Sequence, residues 1–156
     1  MEKSANTPAW MKVSEVQVIY KTKLRASERP QIKHSNDAYK LFLQSWDLNR
    51  IELVEQFKVM PLNHANKVLG ICELSTGSMS STIVDPKMVF GLLLKSGATG
   101  AILCHSHPSG NLKPSKADIA MTEKIVAGGK LLDIKILDHL IITTEGYYSF
   151  ADYGEL

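Results

Sequence analysis

Short apolar runs and one helical pattern make up the first half of the chain. Apolar residues cluster at 13–20, which predicts a strand, and residues 21–33 are polar and basic, which indicates a connection. The runs at 51–62 and 67–74 predict the two strands of a hairpin. A helix beginning at Ser35 is predicted between these parts by the spacing of five residues that share one face: Ala38, Leu41, Phe42, Ser45 and Trp46.

The second half of the chain predicts strands that are joined by helices. Asp85 followed by proline predicts a helix start, and a second helix is predicted from Ser115 to the glycines at 128–129. The run of small apolar residues at 98–105 is typical of a central strand covered on both faces. The remaining segments are a loop at 75–82 and short strands at 134–137, 140–143 and 147–150. Together these elements indicate an α/β (α+β) fold with a mixed β-sheet flanked by helices.

Composition excludes several classes of function and indicates the cellular compartment in which the protein is expected. The chain has 156 residues, of which 44% are hydrophobic and 22% are charged, so it is long enough for one domain with its own core. A net charge of +2 does not indicate a strongly basic nucleic-acid coat protein. Cys72 and Cys104 lie in separate apolar runs and form no C-x-x-C pair, which favours buried free thiols in a reducing compartment. Without a signal peptide or an apolar span, the protein is expected to be cytoplasmic, with no membrane partner.

Two histidines and one aspartate form the strongest candidate for chemistry. His105 and His107 stand two positions apart at the end of the predicted central strand, so their side chains point to the same face. Asp118 follows the predicted helix cap Ser115 by three residues, where the helix dipole keeps a carboxylate ionised. Two imidazoles and one carboxylate leave a fourth ligand position open for water. This arrangement predicts a catalytic zinc site rather than a structural one.

Each of these residues also has a purely structural interpretation. Ser115-x-x-Asp118 is a capping box, and taken alone it favours a cap over a metal ligand. Two histidines near the end of a strand often only hydrogen-bond to the backbone. His139, beside an aspartate, is either support for a metal ligand or a structural hydrogen-bonded histidine. The metal site is preferred because both histidines and the aspartate fall within one strand–loop–helix unit that has a candidate base upstream.

The candidate base is Glu73. In the second hairpin strand it is predicted to share a face with Leu69 and Ile71, so its carboxylate would lie among apolar neighbours. Desolvation there would raise the pKa of the carboxyl toward the range that suits proton transfer. The alternative is an edge-strand glutamate that reaches solvent. Glu52 and Glu55 are further upstream candidates, although their neighbours are more polar.

The motif resembles the JAMM metalloprotease signature of JAB/MPN domains. That signature matches His105-x-His107, seven intervening residues, Ser115, two more residues and Asp118. The wider sequence His105-Ser-His-Pro-Ser-Gly, with Leu137-Asp-His139 further on, is similar to the bacterial RadC proteins. The similarity covers residues 35–150, although RadC proteins commonly have asparagine where this chain has serine between the two histidines.

The resemblance implies a fold, a cofactor and roles for individual residues. It implies a JAB/MPN (cytidine deaminase-like) architecture for residues 35–156, preceded by an N-terminal extension at 1–34. It also implies one Zn²⁺ per chain. The ligands would be His105, His107 and Asp118. The general base would be Glu73, and Ser115 would stabilise the oxyanion.

Three functions follow from this resemblance and from the chemistry of the site. The first is a zinc-dependent hydrolase of amide or isopeptide bonds, which acts on a peptide or protein. The second is a RadC-like binding module linked to DNA repair or mobile elements, for which the basic residues within 21–33 are the best support. The third, a zinc deaminase, lacks its H-x-E and P-C-x-x-C elements. Nucleic-acid binding, the substrate and the oligomeric state stay open.

Overall fold

A computed structural model describes residues 17, 19–77 and 84–156, and the predicted strand at 13–20 falls mostly outside them. The described ranges form a five-stranded sheet covered by three α-helices. The helices are α1 (Ser35–Ser45), α2 (Pro86–Lys95) and α3 (Lys116–Leu131), with a 3-10 helix at Ala26–Glu28. The strands are β1 (Gln56–Leu62), β2 (Cys72–Thr76), β3 (Gly100–Ser106), β4 (Lys135–Ile142) and β5 (Tyr147–Ser149).

The sheet is mixed, as the sequence predicts, and its strand order is β2-β1-β3-β4-β5. β1 pairs antiparallel with both β2 and β3, while β3 and β4 are parallel and β4 and β5 are antiparallel. The central strand β3 is buried at every position, which explains its run of small apolar residues without alternation. The predicted α/β class, with helices flanking a mixed sheet, is therefore confirmed.

The two faces of the sheet carry separate apolar cores. One core packs against α1 and includes Phe42, Trp46, Met60, Ile102, Cys104 and Leu140. The other packs against α2 and α3 and includes Phe57, Val59, Leu93, Leu103, Ile125 and Ile136. We call these sides the α1 face and the α3 face. Because side chains alternate along a strand, Cys104 and His105 point to opposite faces, and this alternation decides which residues can meet at the site.

Both predicted starts of α2 and α3 are confirmed by their caps. The side chain of Asp85 accepts a hydrogen bond from the backbone of Lys87, and Ser115 caps α3. The predicted end of α3 at residues 128–129 is wrong, because the helix continues to Leu131. Its glycines serve close packing instead, since a Cβ on Gly129 would lie 2.4 Å from a backbone oxygen of the following turn. No helix within the described ranges is long and apolar enough to cross a membrane.

The predicted hairpin is present, but its strands are shorter than predicted. β1 begins at Gln56, because residues 51–54 form a turn. β2 begins at Cys72. Before it, the chain makes an isolated bridge to β1 between Val68 and Leu62, and the N–H of Val68 donates to the carbonyl of Pro30 at 2.8 Å. β2 then continues into the start of the predicted loop at 75–82, and residues 78–83 lie outside the described ranges.

The strands predicted at 134–137 and 140–143 are one continuous strand, β4. The prediction separated them at the polar pair Asp138-His139, yet both side chains are buried inside the strand. Burial is tolerated because each is hydrogen-bonded: Asp138 accepts from Ser149 Oγ at 2.6 Å, and the ring of His139 bonds to two neighbouring side chains. The final predicted strand is confirmed as β5.

Candidate metal centre

The C-terminal end of β3 brings His105 and His107 together on the α3 face. His105 is the penultimate residue of β3 and is buried, while His107 directly follows the strand and is partly buried. Because residues two positions apart on a strand share a face, the two rings meet. Their Nε2 atoms lie 3.0 Å apart. The central strand therefore presents two imidazole nitrogens at one point.

The first turn of α3 adds Asp118 to these histidines. Asp118 Oδ1 lies 3.3 Å from Nε2 of His105, and Oδ2 lies 3.6 Å from Nε2 of His107. Asp118 and His105 are buried, and His107 is partly buried. The three residues form a group that could hold a metal ion, with one ligand atom from each. The structure thus brings together the triad that the sequence spacing predicts.

Asp118 belongs to the cap of α3 at the same time. The backbone N–H of Ser115 donates to Asp118 Oδ2 at 2.7 Å, and the N–H of Asp118 donates to Ser115 Oγ at 3.1 Å. This is the reciprocal capping box that the sequence predicts. The cap occupies one carboxylate oxygen and leaves the other facing His105. The two interpretations of Asp118, cap and ligand, are therefore compatible.

The protonation of the triad follows from its hydrogen bonds and charges. Burial opposes ionisation of Asp118, but both histidines and the capping bonds outweigh it and hold the pKa of this carboxyl well below its ordinary value. Burial alone would lower the pKa of His107, yet Asp118, the carbonyl of Asn111 and the charge of Glu55 raise it. The carboxylate is therefore a permanent negative charge facing the two imidazoles, an environment that attracts a cation.

The second ring nitrogen of His107 is already occupied. Its Nδ1 is hydrogen-bonded to the carbonyl oxygen of Asn111, in the loop between β3 and α3. A carbonyl oxygen can only accept, so Nδ1 carries the proton. In the neutral ring, Nε2 then points its lone pair toward His105 and Asp118. This orientation is the one that a metal ligand needs.

His139 lies directly behind His105 and is fully buried. Its Nε2 is 2.8 Å from His105 Nδ1, and its Nδ1 is 2.6 Å from Thr122 Oγ1 on α3. Burial holds the pKa of His139 well below its ordinary value. The sequence left open whether His139 supports a ligand or is a structural histidine, and the structure places it in contact with one residue of the triad. Thr122 was missed, because nothing in its local sequence separates it from other helix residues.

Glu73 does not lie where the sequence predicts. It pairs with Lys58 across β1 and β2, and Lys58 pairs with Cys104, whose side chain belongs to the α1 face. The carboxylate accepts hydrogen bonds from Gln56 Nε2 at 2.8 Å and from Thr76 Oγ1 at 2.6 Å. Its side chain is 39% exposed. Glu73 is therefore a solvent-reaching glutamate on the opposite side of the sheet from the triad.

The cause of this error is an irregularity in the pairing just before β2. Leu62 pairs with Val68 but Val59 pairs with Cys72, so one extra residue lies between Val68 and Cys72, and Leu69 and Ile71 pack against different cores. Gly70 lies in this interval and is the local mark of the irregularity in the sequence. The prediction that Glu73 points among apolar neighbours is wrong for this reason.

Glu55 is the glutamate that lies beside the triad. It directly precedes β1, in which Phe57 pairs with His105 across the sheet, so extension of this register places Glu55 opposite His107 on the α3 face. The residue is 8% exposed. Its negative charge is one of the causes that raise the pKa of His107. The sequence named Glu55 as a further candidate because of its position upstream, and the mixed-polarity run around it hid its burial.

Comparison with known proteins agrees with this geometry. The sequence model of the RadC-like JAB domain matches residues 32–155. The chain belongs to this family. The resemblance that the spacing of His105, His107, Ser115 and Asp118 indicates is thereby confirmed, and a JAB domain is consistent with the mixed sheet and its three described helices.

Curated proteins that are similar to this chain belong to the same family and are longer than the chain. A UPF0758 protein of Flavobacterium johnsoniae is 57% identical over 100 residues, which are 64% of this chain and 44% of that protein. A UPF0758 protein of Methanosarcina mazei is 40% identical over 129 residues, which are 81% of this chain and 55% of that protein. The chain thus spans about half the length of the curated relatives that it matches. The division into an extension at 1–34 and a domain at 35–156 stays a prediction.

Proposed function

We propose that this domain is a zinc-dependent hydrolase of the JAMM type, which cleaves amide or isopeptide bonds and holds one Zn²⁺ per chain through His105, His107 and Asp118. The spacing of the ligand atoms carries the proposal. Tetrahedral zinc with ligands at about 2.0–2.2 Å requires its ligand atoms to be roughly 3.3–3.6 Å apart. Nε2 of His105 lies 3.0 Å from Nε2 of His107 and 3.3 Å from Asp118 Oδ1, and the other carboxylate oxygen, Oδ2, lies 3.6 Å from Nε2 of His107. One ligand atom from each of the three residues lies within 4.8 Å of the others. Two imidazoles also favour zinc over magnesium or calcium, which prefer oxygen ligands.

Glu55 replaces Glu73 in this proposal as the general base. A zinc ion in the site would lower the pKa of a coordinated water to about 7 and polarise the scissile carbonyl. The base must then accept a proton beside His107 and pass it to the leaving nitrogen. Burial of Glu55 and its electrostatic effect on His107 support this assignment. Glu73 is on the other face of the sheet and has no route to that proton.

Ser115 keeps its proposed role next to the reacting carbonyl. It is the N-cap of α3, so it stands at the positive end of a helix of 16 residues, and its partner Asp118 faces the histidines. The cap uses Ser115 Oγ as an acceptor for the N–H of Asp118. A hydroxyl that accepts in a cap still has a proton to donate. Ser115 would donate it to the negative charge that develops on the substrate oxygen.

A cavity beside His107 supports access for a substrate chain. It has a volume of about 320 Å³ and is lined by the loop after β3 and the turn after β4, together with Glu52. Its walls are mostly polar, with Thr143, Thr144 and Glu145 on one side. A polar, open cleft next to the ligands suits an extended peptide better than a small apolar ligand.

The test compares substitutions of two glutamates, each made in the full 156-residue chain and loaded with zinc. An internally quenched peptide library and a fluorogenic lysine-isopeptide serve as probes. Glu55→Gln should retain zinc and lose about a hundredfold or more in kcat/KM, since it removes the base but preserves the shape. Glu73→Gln is the matched control and should keep turnover within about twofold, because it acts on the far face. Loss of turnover in Glu73→Gln with full activity in Glu55→Gln would contradict the assignment.

A binding module linked to DNA repair or mobile elements is the second candidate, favoured by one observation. The basic residues at 21–33 are solvent-exposed except for Arg29, which is partly buried, so they form an accessible positive stretch. Such a stretch binds nucleic acid with an affinity that falls steeply with salt. Absence of turnover on both probes by zinc-loaded protein, together with salt-dependent DNA binding, would favour this second function.

A further inference from the structure

A chain of three hydrogen bonds connects two of the proposed ligands from behind. It runs from His105 Nδ1 to His139 Nε2 at 2.8 Å, and from His139 Nδ1 to Thr122 Oγ1 at 2.6 Å. Thr122 Oγ1 then donates to the backbone carbonyl of Asp118 at 2.6 Å. The chain begins on the ring of one ligand and ends on the backbone of another. It crosses from β3 through β4 to α3.

The last bond fixes the direction of the others. A hydroxyl has one proton, and the carbonyl of Asp118 can only accept, so Thr122 gives its proton to that carbonyl. Its oxygen must then accept from His139, which places the proton of His139 on Nδ1. His139 is fully buried and is therefore neutral, because an imidazolium in this position would be desolvated at high cost. Its Nε2 is thus an acceptor, and His105 Nδ1 is the donor.

We propose that His139 and Thr122 are positioning residues, which lock His105 in the tautomer that carries its proton on Nδ1. In the neutral ring, Nε2 of His105 is then the nitrogen without a proton, and it faces His107 and Asp118. The inference rests on the proposed zinc site for its purpose, but the tautomer is a property of the metal-free chain. Residues that hold the second nitrogen of a ligand histidine typically raise metal affinity by about 10–100-fold.

The surroundings of His139 keep this chain in one arrangement. Its ring stacks on Phe150, with centroids 4.9 Å apart and planes 8° apart, and it meets the edge of Phe57 at 5.9 Å. The aromatic rings restrict rotation of the imidazole without offering a competing hydrogen bond. The imidazole of His139 is therefore held in one orientation by side chains that are not part of the triad.

The first experiment reads the tautomer directly in metal-free protein. Long-range ¹H–¹⁵N spectra of the histidine side chains should show His105 protonated on Nδ1 in the wild type. Thr122→Val removes the hydroxyl with little change of shape, so the Nδ1–H of His139 loses its acceptor. His139 can then carry its proton on Nε2, and His105 should shift toward the Nε2-protonated form. A wild-type His105 that carries its proton on Nε2 would overturn the inference, whatever the protein does with zinc.

The second experiment measures zinc affinity by competition with a chelator, with Co²⁺ absorption as a check of the ligand geometry. His139→Phe and Thr122→Val should each bind zinc about 10–100-fold more weakly than the wild type. His139→Gln places an acceptor toward His105 and should recover part of this loss. Thr99→Val, at the other end of β3, is the matched control and should bind zinc like the wild type.

The outcomes separate the inference from the proposed function. Wild-type protein that binds no zinc removes the proposed function, while the tautomer measurement still decides the role of His139. Equal zinc affinity in the wild type and in both variants refutes the positioning role and leaves the zinc site intact. If His139→Phe does not fold, Thr122→Val and the control carry the comparison, because both replace one β-branched side chain by another.

Discussion

Asp118→Asn separates the two roles of this residue more sharply than any other substitution. The cap needs an oxygen that accepts from the N–H of Ser115, and an amide oxygen can supply it. The metal site needs a negative oxygen facing His105 at 3.3 Å, and an amide cannot supply that. In the metal-free variant the new amide N–H can donate to Nε2 of His105. We therefore expect a folded protein whose response to zinc is reduced.

The size of the effect can be worked out for each role. Weakening the charged cap should change the stability of the metal-free protein by about 1 kcal/mol at most, partly offset by the new bond to His105. Loss of a direct ligand should exceed the roughly 100-fold that loss of a supporting residue costs. At a fixed excess of zinc, a 100-fold weaker site reduces the zinc-dependent stabilisation by about 2.7 kcal/mol. For a domain of this size that corresponds to roughly 5–11 °C in Tm.

The assay is thermal unfolding of the wild type and of Asp118→Asn, each with chelator and each with saturating zinc. The two chelator curves should nearly coincide, whereas the zinc-induced rise in Tm should shrink by at least the calculated amount. Asp37→Asn is a matched control, since Asp37 accepts at the start of α1 in the same way but lies away from the triad. An unchanged zinc-induced rise in Asp118→Asn would refute the ligand role, and the proposed zinc site with it.

Three further predictions address the cap, the thiols and the close packing of α3. Ser115→Ala should cost about 1 kcal/mol of stability. It should also lower turnover about a hundredfold with zinc retained, measured by kinetics and metal analysis. Burial raises the pKa of the Cys104 thiol well above its ordinary value, so a thiol reagent at pH 8 should modify Cys72 in the folded protein and reach Cys104 only after unfolding. Gly129→Ala should lower the midpoint of urea unfolding, because its Cβ would collide with the carbonyl oxygen of Ile134; an unchanged midpoint would contradict this packing.

The elements of the fold could be predicted where local chemistry decides them. The caps at Asp85 and Ser115 and the continuous apolar run of β3 carry their signals within a few residues. The break predicted within β4 failed for the opposite reason. Asp138 and His139 are polar, and only their partners on other elements make burial acceptable. Such partners are distant in the chain and leave no local pattern.

In the candidate site, too, some residues are decided by local sequence and others by distant partners. His105, His107 and Asp118 could be predicted because strand alternation and the first helical turn fix their directions from sequence spacing alone. The glutamate beside them could not, because an extra residue between Val68 and Cys72 reverses the face on which Glu73 lies. Glu55 reaches the triad only through the pairing of β1 with β3, two segments about fifty residues apart. Tertiary pairing, rather than spacing, decides which glutamate is available.

The shared use of Asp118 has a consequence for how the domain would gain and lose its metal. Because the cap of α3 is closed by hydrogen bonds within the chain, the helix keeps its N-terminus whether or not an ion is present. Two apolar cores hold the sheet from both sides without any contribution from the triad. Chelation should therefore strip the ion and leave a folded apoprotein, unlike a zinc finger, which unfolds without metal. Activity could then be switched off and restored in one sample by changing free zinc alone.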